Sequence, residues 1–151
     1  MKHQIILTAI LTIALLSCGG EDEKDMQKPE IQIGYPHNCA ELQRGERYTF
    51  RAQFTDNIEL GSYNIEIHHN FDHHSHSTDS EECESDAAKT PVNAWVFNQD
   101  YAIPAGSRTY TANVEITVPA DIDAGDYHFM VRLTDRSGWQ QLAAKSIKIR
   151  K

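Results

Sequence analysis

From Pro29 onward, apolar and polar residues alternate with a period of two, the signature of strands that bury one face. Pro29 to Gly34 carries Ile31 and Ile33 in alternation and breaks at Gly34 and Pro36. Arg47 to Thr55 puts Tyr48, Phe50, Ala52 and Phe54 on one face, with Thr49, Arg51, Gln53 and Thr55 on the other. Gly61 to Asn70 repeats this, with Tyr63, Ile65 and Ile67 set against Asn64, Glu66 and His68. A shorter strand region runs from Trp95 to Ile103 and ends at Pro104-Ala-Gly106. Tyr110 to Val118 turns Tyr110, Ala112, Val114, Ile116 and Val118 inward, and turns at 119–125 and 135–138 bracket a strand over Asp126–Thr134. The last strand spans Trp139 to Ile149. No stretch longer than a few residues carries helical spacing. The pattern predicts an all-β domain over residues 29–151, with about seven strands in two sheets.

Two local features narrow the architecture. Gly125-Asp-Tyr127 sets a tyrosine at the start of a strand just after a corner, similar to the tyrosine corner of immunoglobulin-like folds. Leu133-Thr-Asp-Arg-Ser-Gly-Trp139 resembles the final hairpin of many bacterial immunoglobulin-like modules. The expected fold is an immunoglobulin-like antiparallel β-sandwich. In it, strands 61–70 and 126–134 are antiparallel neighbours.

That geometry matters because five of the eight histidines lie within residues 68–76, His-His-Asn-Phe-Asp-His-His-Ser-His. Imidazole is the commonest protein ligand for transition metals. Tyr127, Phe129, Val131 and Leu133 face the core, so His128 and, by the same alternation, His68 face outward. His68 is near the end of one strand and His128 near the beginning of its neighbour. The two should stand side by side, with Cβ atoms about 5 Å apart. After the turn at Phe71-Asp72, His74 or His76 can fold back over the pair, and His73 completes the candidate ligand set. His69 reads as an inward core-edge residue, and His37 as a turn residue. Several neutral imidazoles suit zinc first and copper second. Binding should weaken below about pH 6, because imidazoles must be neutral to ligate. Calcium would want carboxylates and carbonyls, and the segment from Asp72 to Lys89 has no calcium-loop spacing.

The N-terminus reads as processing signal rather than fold. Lys2 and His3 precede an apolar run from Ile5 to Leu16, too short to span a bilayer permanently. Leu-Ser-Cys-Gly at 16–19 resembles the lipobox of bacterial lipoproteins, so residues 1–17 are the expected signal peptide and Cys18 the lipidated residue. Residues 18–28 read as a flexible acidic tether. The acidic run is also similar to the export signal of some surface lipoproteins, which leads to an outer-membrane, cell-surface expectation. Membrane attachment would rest on the acyl chain, because a formal charge of −8 does not favour anionic lipid and argues against nucleic acid.

Lipidation of Cys18 would leave Cys39 and Cys83. Outside the cytoplasm they read as a disulfide that would restrict the unfolded chain by about 4 kcal/mol on the entropic account. The competing reading makes both thiolates metal ligands together with His37.

The lipobox, the Pro29-Glu-Ile opening strand, residues 65–76 and Ala-Gly-Asp-Tyr-His-Phe at 124–129 together resemble a family of short bacterial lipoproteins catalogued as domain of unknown function 4625. The resemblance implies an immunoglobulin-like, secreted, lipid-anchored domain and implies no activity. There is no HExxH motif or glycine-rich phosphate loop, and Ser75 lacks a nucleophile-elbow context, so the chain is read as non-enzymatic. A hydrolase would need an open metal position with Glu66 or Asp72 as base. The leading expectation is an envelope protein that captures or buffers zinc or copper. The alternative is a surface recognition or adhesion module, with an envelope protein or glycan as partner and any metal structural. An exposed platform of Trp95 and Trp139 would favour the alternative.

Overall fold

The computed structural model describes residues 24–74 and 83–151. Signal residues 1–17, Cys18 and His76 lie outside the described residues. The described residues form eight strands: β1 (Glu30–Tyr35), β2 (Ala40–Gln43), β3 (Arg47–Thr55), β4 (Leu60–His69), β5 (Phe97–Ala102), β6 (Thr109–Thr117), β7 (Gly125–Asp135) and β8 (Gln140–Arg150). They form a three-stranded sheet, β1-β3-β6, and a five-stranded sheet, β2-β8-β7-β4-β5. This is the expected immunoglobulin-like sandwich.

The extra strand has a local cause. The break at Gly34 and Pro36 moves the chain from one sheet to the other. β1 pairs with β3, while β2 pairs with β8 in parallel, the one parallel ladder among the described residues. Four residues are too few for alternation to announce a strand. Burial of Ala40 and Leu42 then seals that edge of the core.

The inward faces are the ones the alternation predicts. Phe50, Ala52 and Phe54 of β3 meet Tyr63, Ile65 and Ile67 of β4 and Tyr127, Phe129, Val131 and Leu133 of β7 in one apolar core. Aromatic contacts join the two sheets, Phe50 to Phe129 at 5.4 Å and Phe54 to Tyr63 at 5.0 Å between ring centroids. Such pairs add to the stabilisation from buried area alone. Trp95 is buried in this core and Trp139 is only partly exposed, so the two do not form an exposed platform.

The start of β7 is fixed by a tyrosine corner. The Tyr127 hydroxyl donates to the carbonyl of Asp123, four residues upstream, at 2.7 Å. It accepts from the backbone amide of Trp95 at 3.2 Å. The phenol thus satisfies two backbone groups at once, the buried amide of Trp95 among them, and burial raises its pKa. Tyr127→Phe should cost about 1–3 kcal/mol in urea unfolding, because the Trp95 amide loses its acceptor inside the fold. A variant as stable as wild type would show that the corner contributes nothing.

Candidate metal centre

The centre begins with a ladder register. β4 and β7 align His68 directly opposite His128, with Ile67 opposite Phe129 and Glu66 opposite Met130. The ring centroids of His68 and His128 are 5.5 Å apart. His74, just past the β4 turn, closes a triangle, 5.6 Å from His68 and 5.1 Å from His128. Two of the three imidazoles stand on rigid strands and the third on the segment that folds back.

Hydrogen bonds fix which nitrogen carries the proton in two of the three rings, His74 and His128. His68 Nδ1 lies 3.0 Å from the Glu66 carboxylate, and His74 Nδ1 lies 2.6 Å from Asp72 Oδ1. The Asp72 carboxylate accepts, so His74 Nδ1 donates and the lone pair of that neutral ring sits on Nε2, whereas His68 Nδ1 stands at ion-pair distance from Glu66 without hydrogen-bond geometry. His128 is reversed. Its Nε2 donates to the carbonyl of His74 at 3.2 Å, which puts the lone pair on Nδ1. Carboxylates that orient imidazoles in this way are the usual outer shell of histidine metal sites. The hydrogen bond from His74 also holds the Asp72 carboxyl below its ordinary range. Asp72, one of the two residues that could have served as a base, orients the His74 ring, and Glu66 places its carboxylate 3.0 Å from His68 Nδ1.

His128 is on the outward face of β7 yet only 1% exposed. The cover comes from the insert between β4 and β5. At its neck the Lys89 amide donates to the carbonyl of Phe71 at 3.0 Å. Phe71 is buried edge-on against Tyr127, with the Lys89 ammonium 4.3 Å over its ring. Gly125 makes room for this packing: a Cβ there would lie 2.9 Å from Phe71 Cε1, and its φ of +136° is one that L side chains rarely adopt. Farther along, Cys83 forms a disulfide with Cys39, whose amide bonds to the carbonyl of Ser146 on β8. The insert is therefore tied across the outer face of the five-stranded sheet, and the thiolate-ligand reading of these cysteines is set aside.

Asp86 supplies a further fastening. Its carboxylate receives Lys148 at 3.0 Å and Arg150 at 2.7 Å, and its amide donates to Asp126 at 2.7 Å. Lys148 also pairs with Asp126 at 2.5 Å. Burial pushes the Asp86 carboxyl up, but the hydrogen bonds from Lys148 and Arg150 outweigh it and leave the carboxyl below its usual range. Burial likewise pulls Lys148 down, and its bonds to Asp126 and Asp86 reverse that, raising it.

His73 is not brought to the triangle. Its backbone adopts φ +57° and its Nε2 lies 2.9 Å from the carbonyl of Asp86, so the ring braces the insert. His69 packs on Phe71 at 4.9 Å and is half-buried at the core edge, and His37 is exposed. The residues that sequence reasoning missed are Asp86, Asp126, Lys148 and Arg150. Asp126 and Lys148 lie at outward positions of adjacent strands, which a known register would have paired. Asp86 belongs to a segment with no periodicity and gave no signal.

An immunoglobulin-like β-sandwich with a cystine-pinned insert over one sheet is the class that fold and site define. The chain belongs to the family described as Domain of unknown function (DUF4625), whose model matches residues 16–150. A search of curated proteins finds no match. Among solved structures the chain is similar to wild-type OgpA from Akkermansia muciniphila, at 11% identity and a TM-score of 0.47 over 82% of this chain and 30% of that one. It is similar also to Spo0M, a sporulation control protein from Bacillus subtilis, at 10% identity and a TM-score of 0.42 over 82% of this chain and 49% of that one. The chain spans less than half the length of either, and at these scores neither informs the site.

The Asp86 clamp gives a pH prediction. A carboxyl depressed in the folded state stabilises above its unfolded value of about 3.9, and this contribution is lost as pH falls through the lower folded value. Between about pH 5 and about pH 3, wild type should lose more unfolding free energy than Asp86→Asn. Equal losses would remove the clamp from the account. At neutral pH, Lys148→Met should cost about 2–3 kcal/mol, since Asp126 keeps a nearly buried charge without its cation.

Proposed function

We propose that this protein binds a transition metal, zinc before copper, at His68, His74 and His128, with His76 as a candidate fourth ligand. The observation that carries the reading is the triangle of imidazoles 5.1–5.6 Å apart, with the acceptor nitrogens of His74 and His128 set by Asp72 and the His74 carbonyl. Neutral imidazoles with carboxylates behind them suit zinc and copper(II), and a buried ring beside two partly exposed ones leaves the ion an approach from solvent.

The biological role that fits is metal capture or buffering in the cell envelope. The lipobox-like segment ending at Cys18 and the acidic run after it support a lipid-anchored protein of the outer membrane, possessing no catalytic role. The disulfide between Cys39 and Cys83 suits such an oxidising compartment. The ion would dock on a preformed pair, His68 and His128, and draw in His74 from the insert.

Competitive zinc titration of the full chain, without a histidine tag, tests this. One zinc per chain is expected. His68→Ala and His128→Ala should each weaken binding by more than the roughly 10–100-fold that loss of an orienting carboxylate costs, and Asp72→Asn should fall within that range. His73→Ala should change affinity little. Binding indifferent to both strand histidines would remove the site and leave the recognition or adhesion module as the better reading.

A further inference from the structure

A second cluster lies at the opposite pole of the sandwich. Asp25 precedes β1, Asp56 follows β3 and Asp135 ends β7, and each places an oxygen within 4.8 Å of the others. Seven residues of β7 separate Asp135 from His128, about 23 Å at strand rise. The two sites share no residue.

The three carboxylates are held in the same manner. Asp25 Oδ1 accepts from the Gln27 amide at 3.1 Å and from Asn57 at 3.2 Å. Asp56 Oδ1 accepts from the amides of Ile58 and Glu59 at 2.8 and 2.7 Å. Asp135 Oδ1 accepts from the Trp139 amide at 2.8 Å. The second oxygen of each, Oδ2, is buried with no hydrogen-bond partner. Asp25 and Asp135 are 7% and 4% exposed, so these are nearly buried side chains. Among the described residues no lysine or arginine forms an ion pair with any of the three. The nearby Arg136 pairs with Glu59, and Arg108 donates to the carbonyl of Ile58.

Buried polar atoms in folded proteins find partners, and buried charges are paired or coordinate metals. Three carboxylates gathered out of water, with no cation of the protein among them, repel one another unless something offsets their charge. We infer that Asp25, Asp56 and Asp135 bind a hard divalent cation of the calcium class. The donors are all oxygen, which excludes the preference for imidazole and thiolate that marks zinc and copper sites. Oxygens 2.3–2.6 Å from a central calcium lie up to about 5 Å apart, which accommodates the observed spread. Carbonyls and water complete a calcium shell readily, whereas magnesium demands a tighter octahedron.

The placement gives the ion a structural task. Asp25 belongs to the segment before β1, and its carbonyl accepts from the Trp139 indole at 3.1 Å. A cation there ties that segment to the β3–β4 and β7–β8 turns. It fastens the N-terminal end of the domain, as the disulfide and Asp86 fasten the insert at the other pole.

The test is calcium titration of the chelator-treated full chain by calorimetry, with thermal unfolding and tryptic cleavage at Lys24 alongside. Binding of one calcium with Kd on the order of 0.1–1 mM is expected, typical of extracellular modules, with a saturable rise in Tm and slower cleavage after Lys24. Asp135→Asn and Asp25→Asn keep the Oδ1 acceptor while removing a charge. Each should weaken calcium about tenfold or more while the calcium-free Tm holds or rises, since repulsion is relieved. His128→Ala should leave calcium binding unchanged, so failure here is distinct from failure of the zinc reading. Absence of binding, a Tm rise reproduced by sodium chloride at matched ionic strength, or full calcium affinity in Asp25→Asn would overturn the proposal.

Discussion

Everything at the histidine end depends on the register of β4 against β7. Side chains alternate across a sheet, so a slip of one residue would send His68 or His128 into the core and lift Ile67 or Phe129 out of it. The register is held from the inside. Tyr63, Ile65 and Ile67 must be buried together with Phe129, Val131 and Leu133, and any other pairing exposes several large apolar groups. The tyrosine corner adds a stop at the start of β7, where the Tyr127 hydroxyl locks the entry of the strand to Asp123 and Trp95. Core packing thereby positions two imidazoles on the opposite face of the sheet without any contact of their own being needed.

An outward-facing histidine with almost no exposure requires a cover, and the cover must be anchored. The insert has little apolar surface to bury, and its anchors are correspondingly polar or covalent. Phe71 and Lys89 close the neck, Cys83 is tied to Cys39, and Asp86 joins Lys148, Arg150 and Asp126. The same carbonyl that helps bury His128, that of His74, also fixes its tautomer. Cover and electronic preparation are one arrangement, which makes the insert part of the site rather than decoration on it.

How much of this was legible in the sequence follows from where each signal resides. The strands β3, β4, β6 and β7 carry unbroken alternation, so their inward faces were readable, and with them the outward pair His68 and His128. His74 was readable as one of two residues able to fold back, because only a turn at Phe71-Asp72 intervenes. β2 was not readable, because four residues after Pro36 cannot display a period. The placement of His73 was equally hidden. Its turn toward Asp86 depends on a left-handed backbone and on ion pairs between segments far apart in sequence. Asp25 looked like part of an acidic spacer, and nothing local reveals that its carboxylate meets those of Asp56 and Asp135.

The most direct measurement is diffraction at the zinc absorption edge from crystals of the full chain grown with zinc. The account predicts one strong anomalous peak between the three rings, bonded to His68, to Nε2 of His74 and to Nδ1 of His128, with the Cys39–Cys83 disulfide intact. Peaks confined to His37, His73 or surface carboxylates, with none between His68 and His128, would contradict it.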